Sequence, residues 1–331
     1  MRICTKCVLP ETFPGVRFDD AGVCNVCRQA PTPQRLLEQR AKLRAEFEAA
    51  VEEVRGNNSY DCLMSWSGGK DSTYTLALLT QRYGLRVLAF TFDNGFVAEA
   101  TFGNMRRTAE ALDVDHVVVK PAFGLLRRIF VASLDDGLYP KRALGRASSI
   151  CTSCMSLAKS SALRLAIEKE IPFVAFGWSP GQIPPTSAFY RTTPAMVRAT
   201  MGASFRVLEE IAGDAVRPYF PEEVHFATGR FPYFASPLAF LEYDEEIILA
   251  EITKLGWRRP LDTDPNSSNC LLNTLGNAVH KEHHNLHPYA AELAALVREG
   301  RLTREEGLAR LREPESAAVL RLVTERLGLA S

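Results

Sequence analysis

The segment "YDCLMSWSGGKDSTYTLALL", residues 60–79, contains the pattern that decides the fold. Residues 61–66 form a short and mostly apolar run, which predicts a buried strand. The residues SGGKDS (67–72) follow, and a helix is predicted to begin near Thr73. Glycines let backbone N–H groups approach an anion closely, serines add hydroxyl donors, and a helix N-terminus favours negative charge. With the positive charge of Lys70, this unit predicts a phosphate-binding loop.

Three further apolar stretches predict strands of the same sheet, at 85–96, 115–120 and 171–177. Helical patterns lie between these stretches. Strands that alternate with helices predict an α/β fold with a parallel sheet and helices on both faces. Ligands of such folds bind at the carboxyl ends of the strands, where the loop 67–72 is expected.

The SGGKDS motif resembles the PP-loop of the N-type ATP pyrophosphatases, which cleave ATP to AMP and pyrophosphate while they adenylate a substrate. The resemblance implies an adenine nucleotide α-hydrolase-like fold, with ATP and Mg²⁺ as cofactors. The resemblance implies that Lys70 and Asp71 are catalytic and that Asp71 helps to hold magnesium. It also implies that Phe92 and Asp93 line the adenine–ribose pocket. The ATP-binding residues it implies are Ser65, Ser67, Gly68, Gly69, Lys70, Asp71, Ser72, Phe92, Asp93 and Gly177.

Two alternatives remain for this motif. Asp93 could be an ordinary turn residue at a strand end, because Asn94 and Gly95 follow it. The chain could also be a nucleotide sensor or scaffold that keeps the loop without turnover. The intact Lys70 and Asp71 argue against this second alternative.

The N-terminus contains two CxxC pairs with sixteen residues between them. The four cysteines are Cys4, Cys7, Cys24 and Cys27. Two such pairs fit tetrahedral Zn²⁺, because each places two thiolates on one side of the ion. A segment this short has no adequate core without a staple. The pattern predicts a structural zinc knuckle, and the alternative is four unrelated thiols.

A second cysteine set consists of Cys151 and Cys154, in a third CxxC, and the later single Cys270. The residues alone leave several interpretations open: part of an iron–sulfur site, a redox dithiol, unrelated thiols, or a zinc site. A zinc site would need a fourth ligand, which the histidines of 280–287 could provide. Those histidines could instead donate protons, contact a phosphate or carboxylate, or form a surface cluster.

The order of these cysteines resembles that of the PP-loop tRNA thiolation enzymes, which make 2-thiouridine and 2-thiocytidine. This resemblance implies a 4Fe-4S cluster on Cys151, Cys154 and Cys270, with one iron open to sulfide or to the leaving atom of the substrate. We therefore expect an ATP-dependent sulfurtransferase, with sulfide or a sulfur-carrier or desulfurase donor. An iron–sulfur desulfurase is a further alternative.

The two ends of the chain resemble a different group, the N-acetyl sugar amidotransferases. The resemblance lies in the knuckle, in SGGKDS and in "REGRLTREEGLARL" (298–311). These enzymes let ammonia attack an acyl-adenylate. Three extra thiolates have no role in amide formation, so the second cysteine set favours sulfur transfer.

Composition restricts the partners of the chain. Among 331 residues, 39 are Lys or Arg and 39 are Asp or Glu, so the formal net charge is zero. A neutral chain favours a small-molecule substrate over tRNA. The sequence has no long apolar run and no signal peptide, so we expect a cytoplasmic protein without a membrane partner. The thiolase resemblance implies a possible homodimer.

The expected organisation has four parts: a zinc knuckle (1–30), a linker helix (31–58), a PP-loop domain (59–288) and a C-terminal helical segment (289–331). The last part is predicted to pack against the rest of the chain or to form an oligomer surface. The stretch 178–205, rich in Pro, Ser and Thr, is predicted to be an irregular insertion that faces the substrate.

Overall fold

The computed structural model describes residues 1–135, 137–227, 230–261, 263, 267 and 269–329. Within these residues the strands are β1 (Cys62–Ser65), β2 (Val87–Phe92), β3 (Asp115–Val119), β4 (Phe173–Phe176), β5 (Phe189–Arg191) and β6 (Tyr233–Ala235). The helices are α1 (Asn25–Arg28), α2 (Pro33–Val54), α3 (Lys70–Ala77), α4 (Glu99–Leu112), α5 (Phe123–Ala132), α6 (Ser149–Glu168), α7 (Pro194–Ala212), α8 (Glu223–Phe226), α9 (Glu245–Lys254), α10 (Leu272–His284), α11 (Ala290–Arg298), α12 (Arg304–Arg312) and α13 (Ala317–Leu327).

The strands form one sheet in the order β3-β2-β1-β4-β6-β5. Every neighbouring pair is parallel except β5 and β6, which are antiparallel. The central strand β1 pairs with both β2 and β4, so that Cys62 lies opposite Val87 on one side and Phe173 on the other. The predicted α/β fold and its four predicted strands are confirmed.

Alternate residues of β1 pack against helices on opposite faces of the sheet. Cys62 and Met64 belong to a cluster that includes Phe47 of α2 and Leu76 of α3. Leu63 belongs to a separate cluster with Ala162 of α6. Both faces are therefore covered, and the hydrophobic run of β1 follows from burial on two sides.

The prediction of an irregular insertion at 178–205 is wrong for its second half. Residues 194–212 form α7, and β5 precedes it at the sheet edge. Thr193 caps α7 by accepting a hydrogen bond from the backbone N–H of Met196, and Pro194 occupies its first turn. Proline and threonine therefore mark a helix start here and not a loop.

The two ends of the chain pack together. Cys4, Val8 and Leu9 share a hydrophobic cluster with Leu286 and Leu293 near and within α11. Arg304 of α12 donates hydrogen bonds to the carbonyl oxygens of Cys4 (2.9 and 3.0 Å) and Cys7 (3.2 Å). The N-terminal knuckle thus rests on the C-terminal helices. Among the described residues, no helix has the length and apolarity that a bilayer crossing requires.

Candidate active site

The SGGKDS loop connects β1 to α3, as predicted. α3 begins at Lys70, earlier than the expected start, and Gly69 is its N-cap residue. Gly68 has a φ of +78°, and a Cβ at this position would lie 2.4 Å from the side chain of Thr101. Its carbonyl accepts a hydrogen bond from the indole N–H of Trp257 at 3.0 Å. Only glycine fits this turn, which aims the first amides of α3 at the edge of the sheet.

The two serines of the loop face each other across its mouth. The hydroxyl oxygens of Ser67 and Ser72 are 3.1 Å apart, and the hydroxyl of Ser72 donates to the carbonyl of Gly69 at 3.1 Å. Gly177, directly after β4, touches this loop: a Cβ there would lie 2.3 Å from the Cα of Ser72. The structure therefore brings the loop and the end of β4 together.

Lys70 and Asp71 form a polar network with Tyr243, which sequence reasoning missed. The ammonium of Lys70 donates to Asp71 Oδ1 at 2.9 Å and to the hydroxyl of Tyr243 at 2.8 Å, and Glu245 Oε1 is 3.8 Å away. Burial alone would lower the pKa of Lys70, but Asp71, Tyr243 and Glu245 outweigh it and raise the pKa. The lysine is therefore held in its charged form.

The residues expected at the adenine–ribose pocket lie at the end of β2: Phe92 is its last residue, and Asp93 follows it. Asp93 is 4% exposed, its Oδ1 accepts from the backbone N–H of Gly95 at 2.8 Å, and its Oδ2 pairs with Lys120 at 2.9 Å. Both carboxylate oxygens therefore have partners within the protein. This is what the alternative of an ordinary turn residue at a strand end predicts for Asp93. Phe92 packs edge-on to Tyr219, and Ser65 is the last residue of β1.

The second cysteine set lies at the same edge of the sheet. The side-chain amide of Asn94, which follows β2, donates to the sulfur of Cys154 at 3.4 Å and to that of Cys270 at 3.3 Å. Cys154 and Cys151 lie in the first turns of α6, and the thiol of Cys151 lies 3.7 Å from Asn273 Oδ1. The structure thus brings the CxxC pair together with Cys270, which is distant in sequence, and Asn94 of the "DNG" turn contacts two of the three sulfurs, which the sequence pattern did not indicate.

The electrostatics of Cys154 and Cys270 favour neutral thiols when nothing is bound to them. Burial raises the pKa of Cys154, and Cys270 and Cys151 raise it further as neighbouring negative charges. Burial also raises the pKa of Cys270, against the hydrogen bond from Asn94. A positively charged ligand would be needed to hold three thiolates here.

The N-terminal cysteines form a compact group. The sulfurs of Cys4, Cys7, Cys24 and Cys27 all lie within 4.8 Å of one another, which fits a single tetrahedral ion. Burial opposes ionisation of Cys4, but backbone N–H groups of Cys24, Cys7 and Lys6 lower its pKa to about 6. Burial raises the pKa of Cys7 to about 11. Among the described residues, this is the only group of at least three such ligands with that spacing.

The two cysteine sets differ in whether their sulfurs all lie within 4.8 Å of one another. Cys151, Cys154 and Cys270 are not within mutual reach of one ion, either alone or with a histidine of α10, in the part of the chain that the structure describes. His280, His283 and His284 lie on α10, whereas His287 follows the end of that helix. The arrangement thus disfavours the mononuclear zinc alternative for these cysteines and is compatible with a larger, polynuclear group.

Two ionisable side chains near the site carry no sequence signal that reveals them. Glu292 of α11 accepts from the hydroxyl of Ser179 at 2.8 Å and from the amide of Gln182 at 3.1 Å. Burial raises its pKa to about 7, and its charge interacts with Asp71 and Lys70. Lys159 of α6 lies 4.5 Å from the ring centre of Trp178, and burial lowers its pKa to about 8. Both face the end of β4.

One curated relative matches about half of the chain. No family model matches the chain. An uncharacterised protein from Methanocaldococcus jannaschii is 24% identical over 156 residues, which are 46% of this chain and 50% of that protein. The chain thus spans about half the length of the curated relative it matches.

Two solved structures align over most of the chain. The U34-tRNA thiolase NcsA from Methanococcus maripaludis, with its 4Fe-4S cluster, aligns with a TM-score of 0.37 and 18% identity over 96% of this chain and 91% of its own. NMN synthetase from Francisella tularensis aligns with a TM-score of 0.39 and 12% identity over 91% of this chain and 98% of its own. At such scores, the strand order and the loop of this chain, and not these alignments, identify the fold.

Proposed function

We propose that the chain is an ATP-dependent sulfurtransferase that adenylates a substrate oxygen and replaces it with sulfur. The observation that carries the proposal is the shared hydrogen-bond donor Asn94, which joins Cys154 and Cys270 directly after β2. These thiols lie at the carboxyl edge of the sheet, which also carries the loop 67–72. A transfer group beside the activation site is what a two-step reaction of this kind requires.

In the first step a substrate oxygen attacks the α-phosphorus of ATP, and the bond to pyrophosphate breaks. The first amides of α3 and the hydroxyls of Ser67 and Ser72 are the donors that would stabilise the leaving pyrophosphate. Lys70, held by Asp71 and Tyr243, adds a fixed positive charge. Mg²⁺, when bound, neutralises further charge on the phosphates, and Asp71 is the carboxylate of the loop that would help to hold it.

In the second step hydrosulfide attacks the activated carbon, the bond between carbon and the AMP oxygen breaks, and a proton is released to solvent. Cys151, Cys154 and Cys270 would hold a 4Fe-4S cluster, which when bound supplies an open iron position for sulfide. The residue set fits such a group, because Cys154 and Cys270 share the donor Asn94 and Cys151 interacts electrostatically with Cys154. Asn94 would orient two of the ligands through its amide.

We also infer that Cys4, Cys7, Cys24 and Cys27 bind a structural Zn²⁺. Four sulfurs with mutual distances within 4.8 Å use all four positions of a tetrahedral ion, which leaves none for a substrate. The neutral overall charge supports a small-molecule acceptor more than tRNA. We further propose that the protein is cytoplasmic and forms a homodimer.

A second candidate function is an amidotransferase that uses ammonia on an acyl-adenylate. One observation favours it: the two segments with the amidotransferase resemblance, the knuckle and 298–311, contact each other through Arg304. The second cysteine set has no role in that chemistry.

The deciding experiment is iron and acid-labile sulfide analysis of anaerobically purified protein, with AMP release from ATP assayed against candidate acceptors. We expect about four iron atoms per chain and a brown protein that absorbs near ~400 nm. A colourless and iron-free protein after reconstitution would refute sulfur transfer. In a Cys154→Ala variant we expect loss of iron with the zinc retained. Ammonia-dependent AMP formation that survives this change would instead identify the amidotransferase.

A further inference from the structure

His280 of α10 is a buried histidine for which the described part of the chain offers no hydrogen-bond partner. Its side chain is 3% exposed, and neither ring nitrogen has a partner among the described residues. A neutral imidazole carries one donor and one acceptor, and leaving both unsatisfied in the interior destabilises the folded state. Native proteins rarely keep such groups without water or a ligand. Something other than the protein is therefore expected to complete this site.

His280 lines a cavity between the N-terminus of α6 and the second half of α10. Other lining residues are Ser133, Ser148, Ser149, Gly276, His283 and His284. The hydroxyl of Ser149 is also buried and without a partner among the described residues. Two unsatisfied side chains, one on each helix, thus face the same cavity.

The cavity lies at the positive end of a long helix. α6 has 20 residues, and its N-cap Ser148 accepts a hydrogen bond from the backbone N–H of Cys151, which leaves the hydroxyl hydrogen of Ser148 available to donate. The first amides of a helix have no acceptor within the helix, and its dipole favours an anion. The polarity of the cavity therefore selects a negatively charged ligand.

One carboxylate at the mouth of the cavity disfavours a negatively charged ligand. Asp135 also lines it, but this residue is exposed and its Oδ1 accepts from the backbone N–H of Gly137 at 2.8 Å. Solvent screens the charge of an exposed carboxylate. A metal cation is disfavoured as well, because no three ligand atoms at this cavity lie within 4.8 Å of one another in the described part of the chain.

We propose that this cavity binds a small oxyanion group through His280, Ser148, Ser149 and the first amides of α6. The cavity adjoins the second cysteine set: a Cβ at Gly276 would lie 2.6 Å from Ser148 Oγ and 3.6 Å from Cys151 Sγ. An anion bound here is thus next to the transfer site. Its identification as the acidic group of the acceptor substrate rests on the proposed function, whereas the anion site itself does not.

The protonation of His280 makes the site testable. The titratable groups around it are His283, His284, His287 and Asp135. Burial, followed by the three imidazoles, lowers the pKa of His280 to about 4, so that the ring is neutral at neutral pH. A bound anion favours the imidazolium, which offers two donors. Anion binding therefore takes up a proton and weakens as the pH rises.

Sulfate is the appropriate probe, because its charge does not change between pH 5 and 8. Calorimetric titration of the anaerobic, metal-loaded protein at constant ionic strength should reveal one saturable site. Uptake of one proton predicts that the dissociation constant rises about tenfold per pH unit. Acetate in place of sulfate distinguishes a carboxylate ligand from a sulfate-like ligand. Tighter binding of acetate would assign the site to a carboxylate.

Three variants test the roles of His280 and Ser149 in anion binding. His280→Gln retains a donor but cannot titrate, so the dependence on pH should disappear. Ser149→Ala should weaken sulfate binding about fivefold or more, as the loss of one hydrogen bond to a charged group does. Ser156→Ala is the matched control, because its hydroxyl donates to the carbonyl of Thr152 on the same helix and should leave binding unchanged.

Three results would overturn the proposed anion site. The proposal fails if no saturable sulfate binding is found, if Ser149→Ala and His280→Gln bind as the unaltered protein does, or if a high-resolution structure in sulfate has only water on His280. None of these measurements has ATP turnover or iron content as its readout. A failure here therefore leaves the proposed function standing, and a protein without iron can still bind sulfate.

Discussion

Gly177 lies against the backbone of Ser72, so closely that a Cβ on the glycine would be 2.3 Å from the Cα and 2.5 Å from the nitrogen of the serine. A backbone atom cannot move aside as the end of a flexible side chain can. The end of β4 and the start of α3 are therefore held in direct contact. This contact fixes the orientation of the amides and hydroxyls that are proposed to bind the phosphates of ATP.

Gly177→Ala should weaken the binding of Mg·ATP by about tenfold or more while the protein remains folded. The added methyl group must displace the loop, and overpacking of this kind costs about 1–3 kcal/mol. Calorimetry measures the affinity, and circular dichroism checks the fold. Gly124→Ala is the matched control, because a Cβ at Gly124 would have no atom within 4 Å. Equal affinities in the two variants would contradict the role of this contact.

Asn94→Asp should remove iron from the second cysteine set and leave zinc in place. The substitution keeps the oxygen that accepts from the backbone N–H of Phe96 at 2.8 Å, so the turn is preserved. It replaces the donor to Cys154 and Cys270 with a negative charge, which opposes thiolate formation. Metal analysis after anaerobic reconstitution measures the effect.

The control for this experiment is Asn57→Asp, which alters an exposed asparagine whose amide donates to the carbonyl of Glu53. We expect full iron content in that variant. Full iron in Asn94→Asp as well would show that the shared amide has no part in binding the cluster.

Glu292→Gln should flatten the dependence of stability on pH between about 5 and 7. Burial raises the pKa of Glu292 from its ordinary value of 4.5 to about 7, so the folded protein holds a proton that the unfolded chain releases. The associated stability is complete below pH 4.5 and is lost as the pH rises through 7. The loss is up to about 1.4 kcal/mol per pH unit within that window.

Urea unfolding at pH 5, 6, 7 and 8 measures this effect. Glutamine keeps one oxygen that can accept from Ser179, but its second position is an NH2 group that cannot accept from Gln182. Because it carries no charge, the variant should lose less stability between pH 5 and pH 8 than the unaltered protein. Glu305→Gln, at an exposed position of α12, is the control and should retain the original slope. Identical slopes in all three proteins would place Glu292 in a more solvated site than the one described.

Cys24→Ser should abolish metal binding at the N-terminal group and lower the thermal midpoint. The knuckle shares a cluster with Leu286 and Leu293, and Arg304 binds two of its carbonyls, so its loss also exposes the packing face of α11. Zinc analysis and a thermal melt measure both effects. Cys62→Ala, in the buried strand β1, should lower stability without loss of zinc. A Cys24→Ser protein with full zinc and an unchanged midpoint would refute the structural role.

Much of the fold could be predicted because local patterns determine it. The apolar runs of β1 to β4, the glycines of the loop and the capping box that begins α12 at Thr303 all act over a few residues. The convergence of the two CxxC pairs at the N-terminus was also predictable, since a short loop joins them. The strands β5 and β6 were not predicted, because three-residue strands carry too little pattern.

The sequence by itself determined the phosphate loop, the α/β sheet and the four-cysteine group. Only the tertiary structure decided which distant side chains meet there: Asn94 with Cys154 and Cys270, Tyr243 with Lys70, and Glu292 behind the end of β4. The reason is physical. A strand or a turn follows from neighbours along the chain, whereas a hydrogen bond between residues 60 or more positions apart depends on how the helices pack across the sheet.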